Sequence, residues 1–118
     1  MKTRTSNINK RAKEYTGGSV SYYSVHVAHP TTKGRAPYTA ECNDIIEALG
    51  MNYAEGNAFK ALWRSCAARN LGLSKEGYKD GQYDAEKVEF FGHRMVVQAK
   101  LMRKHMQRMS AKTKKGRK

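Results

Sequence analysis

Apolar positions along the chain follow two periods. From Ser19 to Ala28 (SVSYYSVHVA), β-branched and aromatic residues alternate in part. Val20, Tyr22 and Ser24 fall on one face, and Tyr23, Val25 and Val27 on the other. The spacing predicts one strand, paired in a hairpin or between subunits. His29 to Pro37 reads as a loop, because Pro30 and Pro37 bias their predecessors away from helix and Gly34 supplies a turn. Beyond it the period becomes helical. Thr39 is placed to cap a first helix over 40–49, with Cys42, Ile45, Ile46 and Leu49 as its apolar stripe and Gly50 just past its end. Asn52 and Glu55 form a capping-box pair that opens a second helix over 53–70, with Phe59, Leu62, Trp63 and Cys66 as its buried face. Leu71 to Gln82 contains three glycines and reads as a flexible connection. Asp80 or Asp84 then caps a third helix over 83–109. Along it Val88, Phe91, Met95, Ala99, Met102, Met106 and Met109 step by three or four.

These elements give a mainly α fold: a three-helix core, one N-terminal strand or hairpin, and a single helical domain over 15–109. The last two turns of the third helix outrun a compact domain of this size. The methionine-rich seam therefore has two readings, packing on the first two helices or contact between subunits of a homo-oligomer.

The net charge of +13 changes the picture only at the ends. Residues 1–14 contribute +4 and residues 110–118 contribute +5, whereas the whole of 15–109 contributes +4. The terminal segments have almost no apolar content to offset the entropy of ordering, so both are expected to be disordered basic tails. Tails of this kind attract nucleic acid without reading its sequence. No apolar run is long enough to span a membrane, and the polar N-terminus lacks the apolar segment of a signal peptide, which predicts a cytoplasmic protein with no membrane partner. Cys42 and Cys66 occupy apolar positions of separate predicted helices and read as buried thiols, with no CxxC or Cys/His spacing for zinc. His26, His29, His93 and His105 are likewise scattered without metal spacing. There is no Gly-rich Walker loop, which excludes an ordinary P-loop kinase.

Three blocks stand in a recognisable order: Glu41-Cys42-Asn43-Asp44-Ile45-Ile46-Glu47-Ala48-Leu49, then Glu55-Gly56-Asn57-Ala58-Phe59-Lys60-Ala61-Leu62-Trp63-Arg64, then Asp84-Ala85-Glu86-Lys87-Val88-Glu89-Phe90-Phe91. Over residues 38–95, about half the chain, this order resembles a family of small phage-encoded proteins often labelled nucleotide-kinase-like. Its most specific part is Gly56-Asn57-x-x-Lys60 with Trp63-Arg64. The family lead-in usually sets His beside Tyr, whereas His29 and Tyr38 are separated here. The resemblance implies nucleotide binding in a host-cell cytoplasm. One short-tailed-phage relative is a deoxynucleoside monophosphate kinase, so phosphoryl transfer is also implied.

Phosphoryl transfer rests on positioning and on neutralising phosphate charge. Lys60 and Arg64, one helical turn apart, would supply this, Arg64 as a bidentate fork and Lys60 as a mobile point charge. Gly56 in the first turns of a helix invites a close approach by a ligand or another helix, and Asn57 can face a base or ribose edge. Asp44 and Asp84, with Glu47, would hold Mg²⁺ or act on a nucleotide hydroxyl if the first and third helices meet. Each has a plainer reading: a solvated lysine and arginine, a helix-packing glycine, carboxylates that cap helices, and Trp63 as core and not a base-stacking platform. Paired acids on helices also suggest all-α nucleoside triphosphate pyrophosphohydrolases, but Lys87 stands where their second acid belongs. The alternative to a nucleotide site is a noncatalytic nucleic-acid-binding accessory, using the tails and a basic face of the third helix formed by Lys100, Arg103, Lys104 and Arg108. A protein-interaction role is the third class.

Overall fold

The computed structural model describes residues 21–74 and 78–116. A single 3-10 turn, Ser21–Tyr23, leads into strand β1 (Ser24–Val27), which pairs antiparallel with β2 (Tyr38–Glu41), Val25 opposite Ala40 and Val27 opposite Tyr38. Three helices follow: α1 (Cys42–Leu49), α2 (Tyr53–Leu71) and α3 (Gln82–Gly116). No helix among the described residues is long and apolar enough to cross a membrane.

The mainly α architecture with an N-terminal hairpin is as the sequence predicts, and the differences lie at element ends. Thr39 does not cap α1. It sits in β2 opposite His26, and α1 starts only at Cys42, with Glu41 at the cap position and no side-chain cap. Pairing with β1 holds 38–41 extended, and that long-range pairing overrides the local capping preference of threonine. The predicted strand is also shorter. Tyr22 and Tyr23 belong to the 3-10 turn, while Ser19 and Val20 lie outside the described residues.

The helix boundaries that depend on backbone chemistry are in place. The Asn52 side chain accepts from the Glu55 amide at 2.9 Å, and the Glu55 carboxylate accepts from the Asn52 amide at 3.0 Å, which is a complete capping box. Gly50 and Gly72 end α1 and α2 in the left-handed conformation.

The burial pattern of α2 departs from expectation. Its fully buried residues are Ala54, Gly56, Ala61 and Ala67, whereas Phe59, Trp63 and Cys66 are half-buried and Leu62 is 54% exposed. Small residues line the contact because they allow neighbouring elements to approach closely, and the larger ones flank it. Both cysteines are free, Cys42 buried and Cys66 half-buried.

Helices α2 and α3 run antiparallel. Arg64 meets Asp84 at one end of their seam, and Asn52 donates to Gln98 Oε1 at 3.2 Å at the other. The two contacts bracket about 20 Å of pairing at 1.5 Å per residue. Past Gln98 every α3 residue to Lys115 is exposed, including Met102, Met106 and Met109. The helix also continues through 110–116, where a basic tail without structure is predicted, so these residues extend α3 as a projecting arm. Of the other expected tail, residues 1–14 lie outside the described residues, as do 117 and 118.

Candidate functional site

The site begins with the third residue of α3. Asp80 Oδ1 accepts from the Gln82 amide at 3.1 Å and so satisfies one of the unpaired donors at the start of that helix. Gly81 precedes it with φ +82, where a side chain is strained, and its carbonyl accepts from the Ala85 amide. This turn sets Asp84 on the inner face of the first helical turn, where it is 3% exposed. Asp80 therefore supplies the side-chain acceptor at this helix start, with Gly81 between it and the first helical residue, and Asp84 is free for another role.

That role is an ion pair with Arg64 of α2. Asp84 Oδ1 accepts from Arg64 Nη2 at 2.9 Å and from Nε at 3.2 Å. Arg64 Nη1 donates to the Tyr23 hydroxyl at 2.7 Å, so one guanidinium ties the N-terminal turn to α2 and α3. Burial works against the arginine cation, but its bonds to Tyr23 and Asp84 and the Asp84 charge outweigh this, and its pKa lies above the ordinary value. Because the Tyr23 oxygen accepts from Arg64, its own proton remains available to donate. Asp84 Oδ2, the second oxygen of the carboxylate, is buried and has no hydrogen-bond partner among the described residues.

A cavity of about 420 Å³ lies against this pair. Four of the chain's seven tyrosines, Tyr22, Tyr23, Tyr78 and Tyr83, line it. Lys79 and Lys87 line it as well, Lys79 exposed and Lys87 half-buried with its ammonium 4.9 Å from the centre of the Tyr83 ring. The N-terminal turn is held in place by Trp63, whose Nε1 donates to the Tyr22 carbonyl at 2.8 Å. Phe59 supports the indole edge-on, with ring centres 5.8 Å apart. Trp63 thus acts as an anchor for the cavity wall.

Of the residues singled out in the sequence, Arg64 and Asp84 come together at the cavity. Lys60 does not line it; its ammonium sits 5.6 Å from the centre of the Tyr23 ring. Lys60 and Arg64 are both close enough to Cys42 for their charges to favour its thiolate, yet burial dominates and pushes the Cys42 thiol up. Gly56 is buried beneath α1, where a Cβ would stand 3.6 Å from Ile46 Cγ2. Asn57 donates to the Tyr53 carbonyl one turn back at 2.7 Å. Asp44 is exposed in the first turn of α1, away from the cavity. Lys100, Arg103, Lys104 and Arg108 are exposed along the arm. Among the described residues no group of three or more His, Cys, Asp or Glu side chains is arranged to hold a metal ion.

Tyr78 and Lys79 escape the sequence reading, Tyr23 enters it only as a strand position and Lys87 only as part of the third block, because a turn, a connection and a helix start are joined here by no motif. The available signal is the clustering of tyrosine and lysine on both sides of the Gly81 turn. Comparison of the chain with family models, with curated proteins and with solved structures returns no match.

Proposed function

We propose that the protein binds a mononucleotide in the cavity between the N-terminal turn, α2 and the start of α3. The observation that carries this reading is the composition of that one concavity: tyrosine rings that can stack on a base, lysines that can take a phosphate, and a buried carboxylate oxygen with no partner. The volume falls in the range of small-molecule sites. Arg64 is engaged by Asp84 and Tyr23, so the phosphate falls to Lys79 and Lys87, and Arg64 positions the carboxylate. The resemblance over 38–95 to phage nucleotide-kinase-like proteins supports the same ligand class, a deoxynucleoside monophosphate. In its catalytic form the reading adds transfer of the γ-phosphoryl group of a nucleoside triphosphate to that monophosphate, giving two diphosphates, with Mg²⁺ brought by the triphosphate.

Calorimetry with the four deoxynucleoside monophosphates tests binding, and formation of diphosphate from labelled triphosphate tests turnover. Binding that is weakened about tenfold or more in Lys79→Ala/Lys87→Ala and unchanged in Lys60→Ala supports the cavity. Absence of binding to the intact protein rejects it.

A second reading, nucleic-acid binding by the arm, is favoured by a separate observation. From Phe90 to Gly116 α3 carries lysines and arginines and no carboxylate, a charge pattern suited to a phosphate backbone. The two readings concern different parts of α3 and are compatible.

A further inference from the structure

The unpaired oxygen of Asp84 says more about the cavity's ligand than its size does. We infer that Asp84 Oδ2 accepts a hydrogen bond from an N–H on the Watson–Crick edge of the bound base, which fixes the nucleotide with its base inward and its phosphate toward Lys79 and Lys87. This inference rests on the mononucleotide reading and deepens it.

Oδ1 of the same carboxylate already receives two hydrogen bonds from Arg64, whereas Oδ2 is buried and receives none from the described residues. Buried polar atoms are almost always paired, so an orphan at the wall of a cavity calls for a partner that arrives there. A carboxylate oxygen only accepts, and the partner must therefore be a donor. A phosphate has none to offer and is repelled by the carboxylate, which orients it to the lysines. A hard cation would need several more oxygen ligands than one buried carboxylate oxygen, and no cluster of acidic or imidazole side chains among the described residues provides them. All four nucleobases carry an N–H on the pairing edge, and the tyrosines provide ring surface on which a base can lie. The side chains around Oδ2 close it off from solvent. Lys87 lines the same cavity one turn along α3 from Asp84, with its ammonium over Tyr83, so a base reaches Oδ2 only as the side chains that line the cavity around Asp84 give way to it.

The test compares each deoxynucleoside monophosphate with the analogue whose edge donor is replaced by methyl: N3-methyl-dTMP, N1-methyl-N2,N2-dimethyl-dGMP, N6,N6-dimethyl-dAMP and N4,N4-dimethyl-dCMP. Affinities are measured by calorimetry on the full-length protein. The expected result is a loss of about tenfold or more on methylation of whichever nucleotide binds wild type, since an acceptor buried without its donor is costly. In Asp84→Asn that ratio should collapse toward one. Wild type alone decides the outcome if the variant does not fold. Equal affinity for parent and methylated nucleotide overturns the inference and leaves the cavity reading standing, as does a methyl penalty that persists in Asp84→Asn. A large loss with 3′-deoxy nucleotides in place of the methyl penalty also overturns it, because the donor would then be the sugar hydroxyl. If no nucleotide binds, both readings fall.

Discussion

Arg64 Nη2 meets Asp84 Oδ1 at 2.9 Å, while the other oxygen of that carboxylate is buried and without a hydrogen-bond partner among the described residues. The pair joins α2 to α3, and through Tyr23 it reaches the N-terminal turn. Removing one partner strands the other. Asp84→Leu or Arg64→Met should therefore destabilise the fold by about 3 kcal/mol, whereas the apolar replacement of both, Arg64→Met/Asp84→Leu, should cost much less than the sum of the single changes. Urea unfolding of the four proteins measures this coupling.

Gly56 offers the opposite test. A Cβ there would make ordinary contact with Ile46 and no clash, and the residue is helical. Gly56→Ala should stabilise the protein by about 0.5–1 kcal/mol, the difference in helix propensity, and leave mononucleotide affinity unchanged. A thermal melt and one calorimetric titration check both halves.

Gly81 should not tolerate the same change. Its φ of +82 disfavours any side chain, and a Cβ would lie 3.0 Å from the Tyr78 hydroxyl and 3.3 Å from Ser65 Oγ. Gly81→Ala is expected to cost about 1–2 kcal/mol and to weaken ligand binding, since this turn places Asp84 and Tyr78 at the cavity.

The two thiols should separate by reactivity. Burial raises the Cys42 pKa despite Lys60 and Arg64, so its thiolate forms only above the ordinary thiol range. Its contribution to stability is complete below the unfolded-state thiol pKa and is lost as pH rises toward the higher folded-state value. Native protein treated with iodoacetamide near neutral pH should be modified first at the half-buried Cys66, and Cys42 should react only on unfolding or at alkaline pH. Peptide mapping after timed quenching reads the order.

Deletion of residues after Gln98 removes the arm and keeps the Asn52–Gln98 contact. The truncated protein should melt within a few degrees of the intact chain, keep mononucleotide binding, and lose polyanion affinity together with much of its salt dependence. Sedimentation of both proteins shows whether the exposed Met102, Met106 and Met109 join two copies: a dimer that becomes a monomer on truncation answers yes.

Much of the fold is legible in the sequence because its signals are local. Asn52 with Glu55, Gly50 and Gly72 act on the backbone within a turn of where they stand, and each marks a helix end. Thr39 is a counterexample: its neighbours make a long-range pairing with β1 that no local rule registers. The site is harder to read for the same reason. Arg64 and Asp84 can be singled out separately, but their meeting depends on α2 and α3 lying antiparallel across a connection of low periodicity. Lys60 has the right spacing to accompany Arg64 and instead sits over Tyr23. Tyr22 and Tyr23 carry the alternation of a strand and form a 3-10 turn, so their place in the cavity wall becomes visible only with Trp63 holding the Tyr22 carbonyl.

Helix α3 runs without interruption from the cavity to the end of the arm. At 1.5 Å per residue, Asp84 and Gly116 are about 48 Å apart along one rod. The helix is in that sense a ruler: whatever sits at its two ends is held at a separation written in residue count. Lengthening the rod by seven residues would move the far end by about 10 Å and leave its facing nearly unchanged, while four residues would shift it by about 6 Å and turn it by about 40°.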